Sequence, residues 1–293
     1  MSGDHEQHVQ QQFGATAEAY LTSAVHAQGA ELLELRDAVA QREGAKVLDL
    51  GCGGGHVSYN VAPVAGQVVA LDLAEEMLSV VKRSAAEQGL DNISVQPGMA
   101  EHLPFGDASF DFVFSRYSAH HWRDIGAALR EVRRVLRHGG EMAIIDVISP
   151  ANPRLDTYLQ TVEILRDISH VRDYSFAEWH RLLDMARLGV TRCRRQRLRL
   201  DFASWTARMR TPEPQCQAIR SLQSKIGQEV RQYFEIDRDG SFTVDVMVLW
   251  AQPIRFETGK DNEQADPHPA GRRHRSGNHG RGGQGAGSGQ PRP

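Results

Sequence analysis

Residues 46–57 read KVLDLGCGGGHV, and this stretch limits what the chain can fold into more than any other. Val47, Leu48 and Leu50 predict a short buried strand, Gly51, Gly53, Gly54 and Gly55 a turn, and the residues from His56 a helix. A strand that feeds a glycine turn and then a helix N-terminus is a nucleotide-binding device. Glycines accept positive φ and let a ligand reach bare backbone. The unbonded N–H groups of a first helical turn suit an anionic group. Spacing then narrows the choice. From Asp49 the loop is D-x-G-x-G-x-G. A dinucleotide fingerprint would need its third glycine at position 56, where the chain has His56, and no Gly-Lys-Ser/Thr ends the loop as a P-loop would. Tight strand–helix packing without a ligand is the alternative use of such a turn.

Composition removes several classes. A chain of 293 residues with 40% apolar and 24% charged residues has ordinary globular proportions. A formal net charge of -3 gives no global attraction to nucleic acid or to an anionic membrane. No apolar run is long enough to span a bilayer, and the polar start MSGDHEQHVQQQ is unlike a signal peptide. Cys52, Cys193 and Cys216 are scattered and form no C-x-x-C pair, so a reduced, cytoplasmic setting is expected.

Along the chain, residues 4–42 read as helices. Gln67 to Asp72 predicts a second buried strand that ends in a carboxylate 23 residues after Asp49. An acid at that distance in a nucleotide-binding α/β fold accepts from two ribose hydroxyls; capping of the next helix is the simpler role. Helix 75–88 carries Met77, Leu78, Val80 and Val81 and is expected to end at Gly89. Ile93 to Gln96 and Phe110 to Ser115 predict further strands. Asp124 is placed to cap a helix through Leu136 that stops at His138-Gly139-Gly140, and Glu141 to Ile148 predicts the fifth strand. Helices are expected over Asn152 to Ile168 and Phe176 to Leu188, the latter capped by Gly189. Val190 to Leu200 alternates like a strand and carries Arg192, Arg194, Arg195, Arg197 and Arg199. A solvated edge strand explains those arginines, and a site for an anionic substrate is the alternative. Residues 202–233 predict helix, and Phe242 to Trp250 the last strand.

The motifs resemble, in order, those of the class I S-adenosylmethionine-dependent methyltransferases of the ubiquinone/menaquinone-biosynthesis type (methyltransferase type 11). The acidic G-x-G-x-G loop, Asp72, the Gly98-Met99-Ala100-Glu101-His102-Leu103-Pro104-Phe105 segment and the turn before the fifth strand carry the resemblance. It implies an α/β fold: a doubly wound, seven-stranded, mostly parallel sheet with one antiparallel strand, in the Rossmann-like manner. It also implies a helical lid over residues 1–45, a methyltransferase domain over 46–256 with a helical insert near 202–233, and S-adenosylmethionine as cofactor. The implied cofactor-binding residues are Asp49, Gly51, Gly53, Gly55, Asp72, Leu73, Met77, Met99, Ala100 and Ser115. Tyr20 in F-G-A-T-A-E-A-Y resembles the lid residue that closes the site, unless that helix only packs on the sheet. The family places Asp or Asn, an adenine reader, where this chain has Met99. The Met99 and Ala100 backbones or a thioether contact with the purine are the substitutes. From position 257 apolar residues almost vanish, and a disordered tail is expected there.

Methyl transfer is an in-line displacement that needs a nucleophile about 3–3.5 Å from the methyl group, water excluded, and for some acceptors a base. His120 and His121, just beyond the fourth strand, are the candidate base; a polar rim over Trp122 is the alternative. Arg116 and Tyr117 are candidates for the acceptor pocket. No His, Cys and Asp set shows metal-ligand spacing, so no metal is expected. A small-molecule acceptor and no nucleic-acid partner are the expectation, since Ser115-Arg116-Tyr117-Ser118 does not spell the Asn/Asp-Pro-Pro-Tyr/Phe of nucleic-acid enzymes. A nicotinamide oxidoreductase and a non-catalytic S-adenosylmethionine-binding module are the competing readings. No motif encodes the acceptor or the oligomeric state.

Overall fold

The computed structural model describes residues 29–254. The Tyr20 lid and the tail from 257 lie outside the described residues. A seven-stranded sheet runs in the order β3-β2-β1-β4-β5-β7-β6. Its strands are β1 (Lys46–Leu50), β2 (Gln67–Asp72), β3 (Ile93–Pro97), β4 (Phe110–Arg116), β5 (Leu136–Ile148), β6 (Leu188–Leu200) and β7 (Phe242–Pro253). β1 pairs in parallel with β2 and β4, β2 with β3, and β4 with β5. β7 is antiparallel to both β5 and β6. One antiparallel strand in a doubly wound sheet is the architecture expected. The chain order reverses between β1 and β4, and in open α/β sheets a crevice opens there, beyond the carboxyl ends of the strands.

Buried residues on both sheet faces make β1, β2, β4 and β7 nearly continuous apolar runs, as strands covered on both sides require. On one face, Val47, Phe112, Phe114 and Trp250 pack with Leu32, Leu35 and Val39 of α1 (Ala30–Ala40) and with Tyr158 and Leu159 of α5 (Pro153–Arg166). On the other, Leu48, Val113 and Ile144 pack with Leu129, Val132 and Val135 of α4 (Ile125–Val135). Asp124 caps α4 by accepting from the Ala127 N–H at 2.8 Å. α2 (His56–Val61) and α3 (Glu75–Glu87) follow β1 and β2. α6 (Phe176–Met185) is fixed by a capping box between Ser175 and Glu178. Between β6 and β7 run α7 (Phe202–Arg208), α8 (Glu213–Lys225) and α9 (Gln228–Tyr233).

The helix expected over 202–233 is broken into three, β7 runs on to Pro253, and two glycine turns fall elsewhere than the sequence reading placed them. The expected turn at 138–140 lies within β5: Leu136 pairs opposite Phe110 and Glu141 opposite Phe112, so the residues between bulge outward, with Gly139 at φ 74. Gly189 does not cap α6. The reversal falls at Arg187, with φ 59, and Gly189 already pairs with Gln252 in β6. There the strand pairing overrides the glycine signal.

α1 is tied to the crevice by a buried ion pair. Arg116, at the end of β4, donates to Glu31 from Nη2 at 2.8 Å and from Nε at 3.2 Å, and both residues are buried. Burial alone would raise the Glu31 carboxyl, but the Arg116 hydrogen bond and charge hold it below the usual carboxylate range. Removing one partner leaves a buried charge uncompensated. Glu31→Ala is therefore expected to destabilise the protein by roughly 3 kcal/mol in urea unfolding at pH 7. The difference from wild type shrinks as pH falls below the ordinary glutamate range, because Glu31 then protonates in the wild type as well.

Candidate cofactor cleft and adjoining chamber

At the reversal point lies a cleft of about 1050 Å³, its open mouth included, lined by the glycine loop, the end of β2 and the segment after β4. Gly51 stands at φ 70, and a Cβ there would meet the Ser118 hydroxyl at 1.9 Å, so only glycine lets the two segments approach. The loop is held from β2. Leu71 O accepts from Gly51 and Cys52 N–H at 2.8 and 2.9 Å. Asp72 accepts from Gly53 N–H at 2.8 Å and from Ala74 N–H at 2.9 Å. The Leu73 N–H also bonds this carboxyl, and a carboxylate with about four lone-pair sites still keeps acceptor capacity toward the cleft that it lines. The capping role and the ribose role can thus coexist.

Asp49 has a structural task. It is 1% exposed and accepts from the Ser58 N–H at 3.0 Å and from the Ser58 hydroxyl at 2.7 Å. No side chain of the Gly55 cap position does this for α2, so a carboxyl from β1 satisfies a first-turn donor. Burial pushes Asp49 up to about 7 against those hydrogen bonds, with the nearby Asp72 adding to the rise. Burial likewise raises Asp72.

Of the residues expected to bind the cofactor, Asp49, Gly51, Gly53, Asp72, Leu73, Met99 and Ala100 line the cleft. Gly55, Met77 and Ser115 are not among its lining residues. Gly55 turns the chain into α2 with φ 83, and Met77 and Ser115 are buried in the core. The sequence reading did not single out Cys52, His56, Leu71, Glu101, Ser118 and Arg123, which also line the cleft. Their place beyond the strand ends was the available signal. Arg116 and Tyr117 line it too. Tyr117 has φ 54, a strained value for a bulky residue, and its N–H is fixed to Ile145 O at 2.8 Å.

Tyr117 and His121 also line a second chamber of about 510 Å³, which adds His120, Val147, Glu163, Arg166, Asp173, Leu198, Leu200, Trp205 and Arg208. The two histidines differ sharply. Burial works against a charge on His120, but Asp146, by charge and hydrogen bond, and then Asp173 and Glu163 raise it to about 9. His120 Nδ1 lies 2.7 Å from Asp146 Oδ1. Burial, reinforced by the His120 charge, lowers His121 to about 3. His121 Nδ1 lies 3.1 Å from Ser169 O and 3.3 Å from Ser169 Oγ, and Nε2 lies 3.9 Å from Asp167 Oδ2. The sequence reading found no metal-ligand set. The fold nevertheless gathers His120, Asp146 and Asp173, with one ligand-type atom of each within 4.8 Å of the others.

S-adenosylmethionine fits the residues of the cleft. Asp72 offers acceptors for vicinal hydroxyls, Gly51 leaves room against the loop, and Leu71, Leu73, Met99, Ala100 and Trp122 provide apolar wall for a purine.

Comparisons with known proteins agree. A family model described as a methyltransferase domain matches residues 48–144. YafE of Escherichia coli (strain K12), an uncharacterized protein, is 49% identical over 195 residues, which are 67% of this chain and 94% of YafE. The uncharacterized methyltransferase YcgJ of Bacillus subtilis (strain 168) is 35% identical over 223 residues, 76% of this chain and 88% of YcgJ. The crystal structure of the Bacillus YcgJ protein superposes with a TM-score of 0.74 at 31% identity, covering 78% of this chain and all (100%) of that one.

The Asp49 environment has a consequence for stability. A carboxyl raised in the folded state binds a proton there that the unfolded chain releases, so stability falls as pH rises from about 4 to about 7 and levels off above. In Asp49→Asn the amide oxygen still accepts from Ser58 and nothing titrates. Chemical denaturation at pH 5 and pH 8 is expected to show the wild type losing roughly 2–3 kcal/mol relative to the variant.

Proposed function

The chain belongs to the class I S-adenosylmethionine-dependent methyltransferases, and from that premise we propose that it methylates a small molecule held in the second chamber. S-adenosylmethionine supplies an electrophilic methyl group on a sulfonium sulfur. The observation that carries the acceptor reading is the shared wall: Tyr117 and His121 border both the cleft and the chamber. An acceptor on one side of that wall and a methyl donor on the other have the proximity an in-line displacement needs.

Each residue has a defined part in this reading. Asp72 binds the ribose hydroxyls, and the Gly51–Gly53 backbone lets the cofactor approach. Met99 and Ala100 contact the purine where an acidic or amide reader is absent. Tyr117 stays a neutral phenol, since burial pushes it up to about 12, and it positions rather than ionises. His121, which burial and the His120 charge keep neutral, is the candidate base for an acceptor that must lose a proton, and its low basicity makes proximity the larger contribution. Val147, Leu198, Leu200 and Trp205 offer an apolar wall, and His120, Arg166 and Asp173 a polar end. That lining supports an acceptor with an apolar body and one polar group. The three free thiols support a reducing compartment, and we place the protein in the cytoplasm.

Two measurements test these assignments. Asp72→Ala is expected to weaken S-adenosylmethionine binding at least tenfold in calorimetry, about 1.4 kcal/mol; unchanged affinity removes Asp72 from the ribose site. Leu198→Trp, which fills the chamber from β6, is expected to leave cofactor affinity within twofold. It should cut turnover at least tenfold with an acceptor found by mass spectrometry of extract incubated with deuterated cofactor. Full turnover in that variant places the acceptor elsewhere. Absence of S-adenosylhomocysteine across a broad acceptor panel favours a non-catalytic binding module.

A further inference from the structure

Three side chains from separate elements meet in the wall of the second chamber. His120 stands on the short turn Ala119–His121 after β4, Asp146 near the end of β5, and Asp173 between α5 and α6. Asp146 and Asp173 are each 2% exposed, so their solvation depends on what the protein and the chamber place beside them. Their protein partners do not complete it. Asp146 Oδ1 accepts from Val147 N–H at 2.9 Å and contacts His120 Nδ1, while Asp146 Oδ2 and Asp173 Oδ2 have no hydrogen-bond partner. His170 Nε2 is 4.0 Å from Asp173 Oδ2 and is bonded instead to Gln160 Oε1 at 2.9 Å.

Two buried carboxylate oxygens without donors, beside an imidazole, have two remedies: a proton, which burial favours on Asp173, or a cation held between them. His120 Nδ1 and Asp146 Oδ1, at 2.7 Å, stand at hydrogen-bond distance; two ligands on one ion with ~2.0–2.2 Å bonds stand roughly 3–3.5 Å apart, so an ion takes the place of the shared proton with the pair opened slightly. We propose that His120, Asp146 and Asp173 bind one divalent first-row transition-metal ion, zinc or manganese. One imidazole with two carboxylates suits a borderline ion of this kind. Calcium would want six to eight oxygens, and magnesium a mostly oxygen and water shell. Three protein ligands leave a coordination position open, the arrangement of reactive rather than purely structural sites. His120 and Asp173 line the chamber, so the open position faces it. The ion occupies the place between imidazole and carboxylates that a proton otherwise bridges. In the chamber it would hold the polar group of a ligand. The site itself stands whether or not the acceptor binds there.

The test uses the full chain, stripped with a chelator, dialysed, and titrated with zinc or manganese chloride by calorimetry with metal analysis. One ion per chain with micromolar or tighter affinity is expected. D146N and D173N should each weaken it at least tenfold while S-adenosylmethionine affinity, read on the same samples, stays within threefold. Absence of metal binding in the wild type overturns the proposal. So does undiminished binding in both variants, which assigns the ion to other groups such as the histidines at 268, 274 and 279. A readout that needs no variant is the visible spectrum of the cobalt-substituted wild type. Weak ligand-field bands without a thiolate charge-transfer band are expected, and a thiolate band overturns the assignment. Because these measurements follow metal alone, their failure leaves the methyltransferase reading untouched, and loss of cofactor binding leaves the metal result interpretable.

Discussion

The Asp72 carboxylate sits where the end of β2, the glycine loop and the start of α3 converge, and the cleft depends on its bond to the Gly53 N–H. A glycine-rich loop pays a large entropic cost to hold one conformation. Here the acceptors that select that conformation come from the adjacent strand: Leu71 O for Gly51 and Cys52, and Asp72 for Gly53. Asp49 does the corresponding work from β1, by satisfying Ser58 in the first turn of α2. The loop is therefore clamped by two strand-end carboxyl groups. Burying both raises both, which is the electrostatic cost of holding a bare backbone open to a ligand.

Much of this was legible in residue order. Period-two apolar runs bounded by glycine and acid placed β1, β2 and β4, the Asp124 cap followed from local pattern, and the single antiparallel strand came from the family resemblance. What failed locally failed where tertiary pairing outvotes a turn signal: Gly189 went into β6 because β7 offered a continuous partner, and 138–140 became a bulge within a strand. Within the site, residues next to a motif were legible and residues far from it were not. Asp146 and Asp173 carry no signature of their own. They matter because β5 ends, and the segment after α5 returns, beside His120, and no spacing rule encodes that meeting. Met77 is a different case. Helical periodicity made it a core residue and the family resemblance made it a cofactor contact, and its side chain is wholly buried in α3.

His120 and His121 show how little residue type says about charge. Adjacent in sequence, with ring centroids 4.1 Å apart, they shift in opposite directions. His120 turns to Asp146 and its acidic neighbours, whereas His121 meets a carbonyl and a charged ring. A short turn after β4 thus presents a ring that its acidic neighbours keep charged on one side and a neutral ring on the other.

The arginines of β6 connect this chemistry to the rest of the fold. Their outward side chains are engaged by the protein's own acids: Arg194 by Glu34 at 3.1 Å, Arg197 by Asp245 at 3.2 Å, and Arg199 by Asp237. Arg192 lies over the Trp250 ring, whose indole N–H donates to Glu34 at 2.8 Å. That accounts for the charged strand as a guarded edge with no need for an anionic substrate. It also gives α1 a second role. Glu34 holds β6 and β7, while Glu31 holds Arg116 in the cleft wall and accepts from Gln196 of β6 at 3.3 Å. Leu198 and Leu200 on that same strand form the far wall of the chamber. One acidic turn of α1 therefore sets the cleft wall and the chamber wall together, so displacing α1 alters the cleft and the chamber as a unit.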